Sequence, residues 1–429
     1  MLALVLGGSL FGMALVGATL GAAMGLTGLI ILKLFAGGAT ELGILAVWNQ
    51  TNNFTFSAVP MFILLGELLV VSGLSGRIYG AVAPLFEKVP GRLLHSNIAV
   101  STLFGAVSGS SAATSAAVGS VAYPELEARG YFPASVAASL AAGGTLGLLI
   151  PPSLSLLIFG AWQDVSIGRL FLAGVLPGLM MALLFMLYIF VDAYRRPQLQ
   201  PLPGSFVGFA AALRGVVELW PLLILVGCVL GTIYLGLATP TEAAGLGVVA
   251  TMGLGFTVGE LTLKRVADAA VSSIASFGAI AFILMGAAIL SQAVTLIGLS
   301  GKLVQFTSGL SLSKYEVLVF VILFYLLMGI FFDGISLMLT TVPFIYPVMV
   351  AAGFDPVWIG VFVTIMVEIG MLTPPVGVNL FIMLAITRGK VSMAQLSAEC
   401  LPYWMMLLVG TLLMTLFPQI ALFLPRLFN

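Results

Sequence analysis

Long apolar stretches, separated by short polar or glycine-rich segments, run through the whole chain. Taking about 20 apolar residues as one membrane crossing, this pattern predicts ten crossings. They lie near residues 2–17, 20–36, 58–73, 133–160, 169–192, 216–236, 240–258, 277–297, 356–386 and 397–424. The segments 37–57 and 259–276 are too polar or too short to cross, and we expect them to lie along the membrane interface as amphipathic arms.

Two further apolar stretches, about 98–128 and 316–350, are interrupted near their centres. The interruptions are Ser108-Gly109-Ser110-Ser111 and Asp333-Gly334-Ile335-Ser336. Neither stretch suits a single straight crossing. We therefore predict two re-entrant hairpins, each entering and leaving the membrane on one side.

The pattern also repeats along the chain. Gly147-Leu148-Leu149-Ile150-Pro151-Pro152 and Gly370-Met371-Leu372-Thr373-Pro374-Pro375 are 223 positions apart (374 − 151), and the same shift carries Tyr123-Pro124 onto Tyr346-Pro347. We interpret the chain as a duplicated unit, with a first repeat at 1–194, a linker at 195–215 and a second repeat at 216–429. Five crossings per repeat is an odd number, so the second copy is predicted to be inverted relative to the first.

A Pro-Pro pair inside an apolar helix removes backbone donors and leaves carbonyl groups unpaired. Lipid does not satisfy such groups, so protein, water or an ion must do so. Paired helix breaks in two halves are typical of the binding site of a transporter. The expected fold is therefore an all-α polytopic membrane protein with two inverted repeats, each holding a hairpin and a Pro-Pro-broken helix.

Composition supports the membrane setting independently. Of 429 residues, 61% are hydrophobic and 7% are charged, and the mean hydropathy is +1.20, far from the values of a soluble domain. The net charge of zero gives no indication of a nucleic-acid partner. The isolated Cys228 and Cys400 form no metal or disulfide pattern.

The basic residues predict the orientation. With hairpins that do not cross, eleven of them share one side, and five lie on the other side or near a helix end. The larger group is Arg77, Lys88, Arg92, Arg129, Arg195, Arg196, Arg214, Lys264, Arg265, Arg388 and Lys390, and the smaller one is Lys33, Arg169, Lys302, Lys314 and Arg426. The positive-inside rule then makes the first group cytoplasmic and both termini periplasmic.

Oxygen-bearing groups at the interruptions are the candidate ligands of a cation. In the first copy they are the hydroxyls of Ser108 and Ser111 and the carbonyls around Gly147, Ile150 and Pro152. In the second they are Asp333, which aligns with Ser110, and Ser336 with Gly370, Thr373 and Pro375. Oxygens without thiol or imidazole suit a hard cation such as Na⁺, and a carboxylate at membrane depth is a functional candidate. For the serine run, close helix packing is the alternative.

An organic anion requires the opposite helix ends. Half-helices that begin after a break direct N-terminal amides inward and attract carboxylates without a basic side chain. Thr145 and Asn379, within two turns of the breaks, are candidate substrate contacts, together with Ser110 and Ser336 at the interruptions. Asn379 can instead join two helices.

Two intramembrane acids have open alternatives. Glu368 is either an ion-coupling group or a hydrogen-bonding group between helices. Glu242 follows Thr239-Pro240-Thr241, a pattern that favours a structural capping box.

Taken together, these motifs resemble the large membrane subunit of tripartite ATP-independent periplasmic (TRAP) transporters. They include Ser108-Gly109-Ser110-Ser111, Ile150-Pro151-Pro152-Ser153, Thr239-Pro240-Thr241-Glu242 and Thr373-Pro374-Pro375-Val376-Gly377-Val378-Asn379, and the match covers nearly the whole chain. The resemblance implies a sodium-driven elevator transporter in the bacterial inner membrane. It also implies two partners, a small membrane subunit of about four helices and a periplasmic solute-binding protein. Family sodium sites match Ser108, Ser111, Gly147, Ile150, Pro152, Asp333, Gly334, Gly370, Thr373 and Pro375.

Other function classes fit the sequence less well. A channel needs a continuous polar pore, and the charges are too sparse to line one. An intramembrane enzyme needs a nucleophile–base pair or a metal set, but the only histidine, His95, lies beside Arg92 in a basic loop. Within transporters, a self-sufficient sodium/carboxylate symporter without a binding protein is the runner-up. Dicarboxylates, keto acids, sugar acids and sialic acid all suit the predicted site.

Overall fold

The computed structural model of the protein describes residues 7–9, 12–13, 17–199, 215 and 217–428, and every regular element in these ranges is a helix. Most of the predicted first crossing, 2–17, lies outside the described residues. The same is true of the predicted linker, 195–215. Within these described ranges, five helices are long and apolar enough to cross a membrane by themselves.

The first half contains nine helices among the described residues. They are α1 (Leu20–Phe35), α2 (Glu41–Thr51), α3 (Ala58–Val71), α4 (Leu74–Phe86), α5 (Leu93–Ser108), α6 (Ser111–Ala128), α7 (Pro133–Thr145), α8 (Leu154–Gln163) and α9 (Ile167–Arg195). A 3-10 turn, Phe54–Ser57, leads into α3, and another, Leu146–Leu148, follows α7.

The second half contains ten described helices. They are α10 (Trp220–Val226), α11 (Pro240–Thr257), α12 (Leu263–Leu296), α13 (Leu299–Gly309), α14 (Lys314–Met328), α15 (Gly334–Ala351), α16 (Pro356–Met371), α17 (Val378–Thr387), α18 (Met393–Leu416) and α19 (Gln419–Leu427). Helix α10 continues through a π-helical turn, Gly227–Gly231, to Tyr234.

Each interrupted stretch forms two helices that meet at the predicted interruption. The stretch 98–128 forms the pair α5 and α6, and 316–350 forms the pair α14 and α15. Each Pro-Pro pair divides a helix into two, α7 and α8 in the first half and α16 and α17 in the second, and both Pro-Pro peptide bonds are cis. We call these eight helices the hairpin bundle.

Helix α12 organises a second group, formed with α1, α2, α3 and α11, which we call the outer layer. Helix α12 packs against α1, α2 and α3, and α11 packs against α3. The crossing of α1 and α12 is very close, because a methyl group on the Cα of Gly286 would come within 2.1 Å of the Gly21 carbonyl oxygen. Small residues permit this approach of two backbones in a membrane.

Two sequence predictions about elements are wrong, and two helices were not predicted. The arm 259–276 is not separate, because 34 residues of helix run without a break from Leu263 to Leu296. No proline interrupts that run. The predicted crossing 397–424 is two helices, since α18 ends at Leu416 and Pro418 caps α19. Helices α4 and α13, which follow left-handed glycines at Gly73 and Gly298, were not predicted.

Candidate functional site

A cavity of about 280 Å³ lies between the hairpin bundle and the outer layer. The bundle contributes residues from both hairpin turns and from the segments beside both breaks. Helices α3 and α12 of the outer layer form the remaining wall. The lining residues are Ile63, Gly66, Glu67, Ser110, Ser111, Ala112, Ala113, Leu148, Leu154, Ser276, Ala279, Ile280, Ile283, Asp333, Gly334, Ile335, Met371 and Val378.

First-turn residues of four helices reach this cavity. They are Ser111, Ala112 and Ala113 of α6, Leu154 of α8, Gly334 and Ile335 of α15, and Val378 of α17. The first amides of a helix have no acceptor within the helix, and the N-terminal end carries a partial positive charge. The lining residues include no Lys, Arg or His. A negatively charged group in this cavity would therefore be held by helix ends.

The two hairpin turns place Ser110 and Asp333 at equivalent points. Each is the residue that immediately precedes the second helix of its hairpin, and both line the cavity. The Ser110 hydroxyl accepts a bond from the Ala113 amide at 3.4 Å. Asp333 makes no such bond to its own helix. Its carboxylate is therefore not used for helix capping.

The first hairpin turn meets the first break through two glycines. A methyl group on Gly105 would come within 2.7 Å of the Gly147 Cα, and one on Gly147 within 2.7 Å of the Thr114 Oγ1 atom. The Ser108 and Thr114 hydroxyls are 2.8 Å apart, and the Thr114 hydroxyl donates to the Ser110 carbonyl at 2.8 Å. Two hydroxyls, a carbonyl and the Gly147 backbone are thus gathered in one place.

A direct backbone bond fixes this turn on the broken helix. The Leu154 amide donates to the Gly109 carbonyl at 3.1 Å. Gly109 has a φ of 63°, a conformation that favours glycine. A side chain there would also come within 2.6 Å of the Pro152 carbonyl oxygen. The turn and the break therefore form one unit.

The second hairpin meets its own break in a similar way. A methyl group on Gly329 would lie 3.1 Å from the Gly370 Cα, as Gly105 approaches Gly147 in the first half. The Thr373 hydroxyl donates to the Ile369 carbonyl at 2.7 Å and accepts from the Trp404 indole N–H at 3.1 Å. Around Gly334 the neighbours are apolar, namely Val367 and Met371. In the first half, hydrogen bonds join the candidate ligands Ser108, Thr114 and Ser110. In the second half, the Thr373 hydroxyl bonds instead to groups that are not candidate ligands.

Ser111 and Asn379 connect the two halves. The Asn379 amide nitrogen donates to the Ser111 hydroxyl at 2.7 Å and to the Ala141 carbonyl at 2.9 Å. Both Ser111 and Asn379 are buried. Asn379 therefore joins α17 to α6 and α7, which is the helix-joining alternative left open by the sequence.

The remaining candidates lie close to the breaks but do not line the cavity. The Thr145 hydroxyl donates to the Ala142 carbonyl of its own helix at 2.8 Å. Ser336 is fully buried, and its hydroxyl finds no hydrogen-bond partner among the described residues. Ile150 and Pro152 are buried at the first break, whereas Pro374 and Pro375 are exposed at the second.

Three further acids, Glu242, Glu368 and Glu67, have different surroundings. Glu242 accepts from the Thr239 amide at 2.8 Å and completes a capping box, which confirms the structural interpretation. Glu368 is fully buried, and within the described chain neither of its carboxylate oxygens has a hydrogen-bond partner. Glu67, on α3, faces the cavity.

Sequence reasoning missed Thr114. It lies one turn after Ser110 on α6, and its hydroxyl touches both Ser108 and Ser110. The spacing of four residues from Ser110, a predicted substrate contact, would have been the signal, because residues i and i+4 share a helix face.

The donors at the first break fit Na⁺, which binds oxygen ligands. Three oxygen atoms can serve as ligands, namely the Ser108 and Thr114 hydroxyls and the Ser110 carbonyl. The backbone of Gly147 lies beside them. No three His, Cys, Asp or Glu side chains come together in the described part of the chain in a way that would suit a transition metal. In the second set, the Asp333 carboxylate supplies a formal negative charge.

The fold is that of a membrane transporter. The structure of the YdaH transporter from Alcanivorax borkumensis superimposes with a TM-score of 0.63 at 16% identity, covering 92% of this chain and 89% of that one. The structure of MtrF from Neisseria gonorrhoeae gives the same TM-score over 91% of this chain. At this level of identity the similarity concerns the fold alone.

Sequence comparison is more specific. Residues 8–420 match the model of the tripartite ATP-independent periplasmic transporter DctM component. The chain is 32% identical to the C4-dicarboxylate TRAP transporter large permease protein DctM of Pseudomonas aeruginosa, covering 94% of this chain and 93% of the relative. It is 34% identical to the ectoine/5-hydroxyectoine large permease protein UehC of Ruegeria pomeroyi, covering 86% and 85%. It is 30% identical to the isethionate permease protein DctMQ of Oleidesulfovibrio alaskensis, covering 94% of this chain but 63% of that protein.

The chain therefore belongs to the TRAP transporter large permease family. It is a bacterial inner-membrane transport protein and not an enzyme, which confirms the resemblance found in the sequence.

Proposed function

We propose that this permease drives uptake of an organic acid anion across the inner membrane with the sodium gradient. The observation that carries the proposal is the cavity, where both hairpin turns, both breaks and four helix N-termini converge. The proposed cation ligands belong to the same hairpin turns and breaks as the helix ends that would attract an anion.

Sodium coupling is supported by the oxygen donors. Ser108, Thr114 and the Ser110 carbonyl lie within hydrogen-bonding distance of one another. Sodium at the first break would bind these groups and carbonyls at Gly147, Ile150 and Pro152, with Ser111 nearby. In the second half Asp333, Gly334, Gly370, Thr373 and Pro375 would hold a second ion.

Coupling follows from electrostatics. A carboxylate entering a cavity whose lining includes Asp333 and Glu67 but no basic side chain meets net negative charge. Sodium bound at the second hairpin turn would offset the charge of Asp333, and the nearby helix ends would then bind the carboxylate. The anion and the ion would each bind better when the other is present.

Transport would proceed by an elevator movement. Each hairpin turn is fixed to its own break, by the Leu154–Gly109 bond in the first half and by the Gly329–Gly370 approach in the second. The hairpin bundle would therefore carry both ions and the anion as one body past the outer layer. The termini would be periplasmic, as the basic residues predict.

Two partners complete the proposed system. A periplasmic solute-binding protein would deliver the anion, and a small membrane subunit of about four helices would pack on the outer layer. The DctMQ relative extends well beyond the region matched by this chain, which suits a membrane subunit fused to it. C4-dicarboxylates, isethionate and ectoine, named for the relatives, are candidate solutes, as are keto acids, sugar acids and sialic acid.

The test is uptake by proteoliposomes that contain this chain and its small subunit. A periplasmic extract supplies the binding protein, and solute uptake is read by mass spectrometry. We expect uptake that requires an inward sodium gradient and the extract. Full uptake in potassium under a proton gradient would exclude sodium coupling. Sodium-driven uptake without the extract would favour the self-sufficient symporter.

A further inference from the structure

The cavity wall opposite the hairpin turns contains an acid whose carboxylate has no partner among the residues that the structure describes. Of the residues that α3 and α12 contribute, only Glu67 and Ser276 are polar, and the others are Ile63, Gly66, Ala279, Ile280 and Ile283. Glu67 is half-buried. Among the described residues no hydrogen bond or ion pair engages its carboxylate.

Sodium bound at the hairpin turns would lie on one side of the cavity and Glu67 on the other. The proposed sodium ligands belong to the hairpin bundle, while Glu67 belongs to the outer layer. An ion at the second break would pair with Asp333, and one at the first break would lie among uncharged oxygens of the bundle, whereas Glu67 belongs to neither proposed ligand set. A carboxylate without a basic neighbour on an otherwise largely apolar wall can form a charge-assisted hydrogen bond with a cationic group of a ligand.

We propose that Glu67 selects a zwitterionic solute, a compact carboxylic acid that also carries a cationic nitrogen. This inference rests on the proposed function and names its substrate class. The carboxylate of the solute binds at the helix ends of α6 and α15, and its nitrogen binds Glu67 across the cavity. At about 280 Å³ the space is slightly below the range of drug-sized pockets, so the solute is small.

Glu67 also acts by exclusion. A dicarboxylate of the same length would place its second charge against Glu67. The two like charges would repel each other, and no basic residue in the cavity lining offsets them. Specificity then comes both from attraction of the nitrogen and from rejection of the dianion.

The experiment compares matched probes on the purified permease with its small subunit. The zwitterionic probes are 4-aminobutyrate and glycine betaine, and the dianionic probes are succinate and glutarate. Melting temperatures are recorded with each probe in NaCl and in KCl, for wild type, Glu67→Gln, Glu67→Asp and Glu242→Gln. Glu242→Gln is the control, because it alters an exposed capping acid. Glu67→Asp keeps the negative charge, so it tests the role of the charge even where Glu67→Gln folds poorly.

We expect a zwitterionic probe to stabilise the wild type in NaCl, with an apparent Kd raised about tenfold or more in Glu67→Gln. Glu67→Asp and Glu242→Gln should stay closer to wild type. Stabilisation by the dianions instead, or by neither pair of probes, overturns the inference. Failure of sodium itself to stabilise the protein, together with sodium-independent uptake, would instead count against the proposed function.

Discussion

Ser111 and Asn379 are hydrogen-bonded at 2.7 Å although 268 positions separate them in the chain. Ser111 begins the second helix of the first hairpin, and Asn379 lies in the first turn of the helix after the second break. The bond therefore joins the two halves directly beside the cavity. A body that moves as one unit needs contacts of this kind.

Asn379→Ala should destabilise the protein by about 1–3 kcal/mol, because it leaves the buried Ser111 hydroxyl without its side-chain partner and removes the bond to the Ala141 carbonyl. Ser111→Ala should cost less, since Asn379 keeps its bond to Ala141. The measurement is thermal unfolding in detergent. Ser120→Ala is the control, because Ser120 bonds only within its own helix. Equal losses in all three variants would contradict the bridging role.

Sodium affinity should depend on residues of both halves. Ser108→Ala and Thr114→Ala each remove a hydroxyl from the first set, and Asp333→Asn removes the only formal charge from the second. Each should raise the sodium concentration for half-maximal uptake several-fold, because a cation loses a ligand or its counter-charge. Glu242→Gln should leave that concentration unchanged. If Glu242→Gln and Asp333→Asn had equal effects, Asp333 would not be a ligand.

The close crossing of α1 and α12 predicts that two glycines of α12 respond differently to substitution by alanine. Gly286→Ala places a methyl group 2.1 Å from the Gly21 carbonyl oxygen, whereas nothing lies within 4 Å of a methyl group on Gly278. We expect Gly286→Ala to cost about 1–3 kcal/mol through forced separation of α1 and α12. Gly278→Ala should be neutral or stabilising by up to about 1 kcal/mol. Matching melting temperatures for the two variants would contradict the crossing.

Inverted repeats predict opposite accessibility of the two hairpins. In a background lacking Cys228 and Cys400, cysteines introduced at Ser110 and Ile335, which both line the cavity, are treated with a membrane-impermeant reagent. Ser110→Cys should react from the cytoplasm and Ile335→Cys from the periplasm, with reciprocal changes when sodium and solute are added. Labelling of both positions from one side under every condition would rule out the inverted-repeat elevator.

The sequence was most informative where it departs from a uniform apolar helix. Ser108-Gly109-Ser110-Ser111 and the Pro-Pro pairs mark real helix ends, because glycine and proline restrict the backbone locally. The Ser111–Asn379 bond could not be predicted, because it depends on how three helices are rotated against each other. The long helix α12 was divided wrongly at residue 276, because hydropathy reports membrane depth and not helix continuity.

Helix α12 also sets the order in which the protein can be assembled. Gly21 receives its close neighbour, Gly286, only after another 265 residues (286 − 21) have been synthesised. The first-half helices α1 and α3 must therefore remain in the bilayer without their principal neighbour during most of translation. A chain truncated before residue 263 would lack the helix that covers Gly21 and Gly28 of α1.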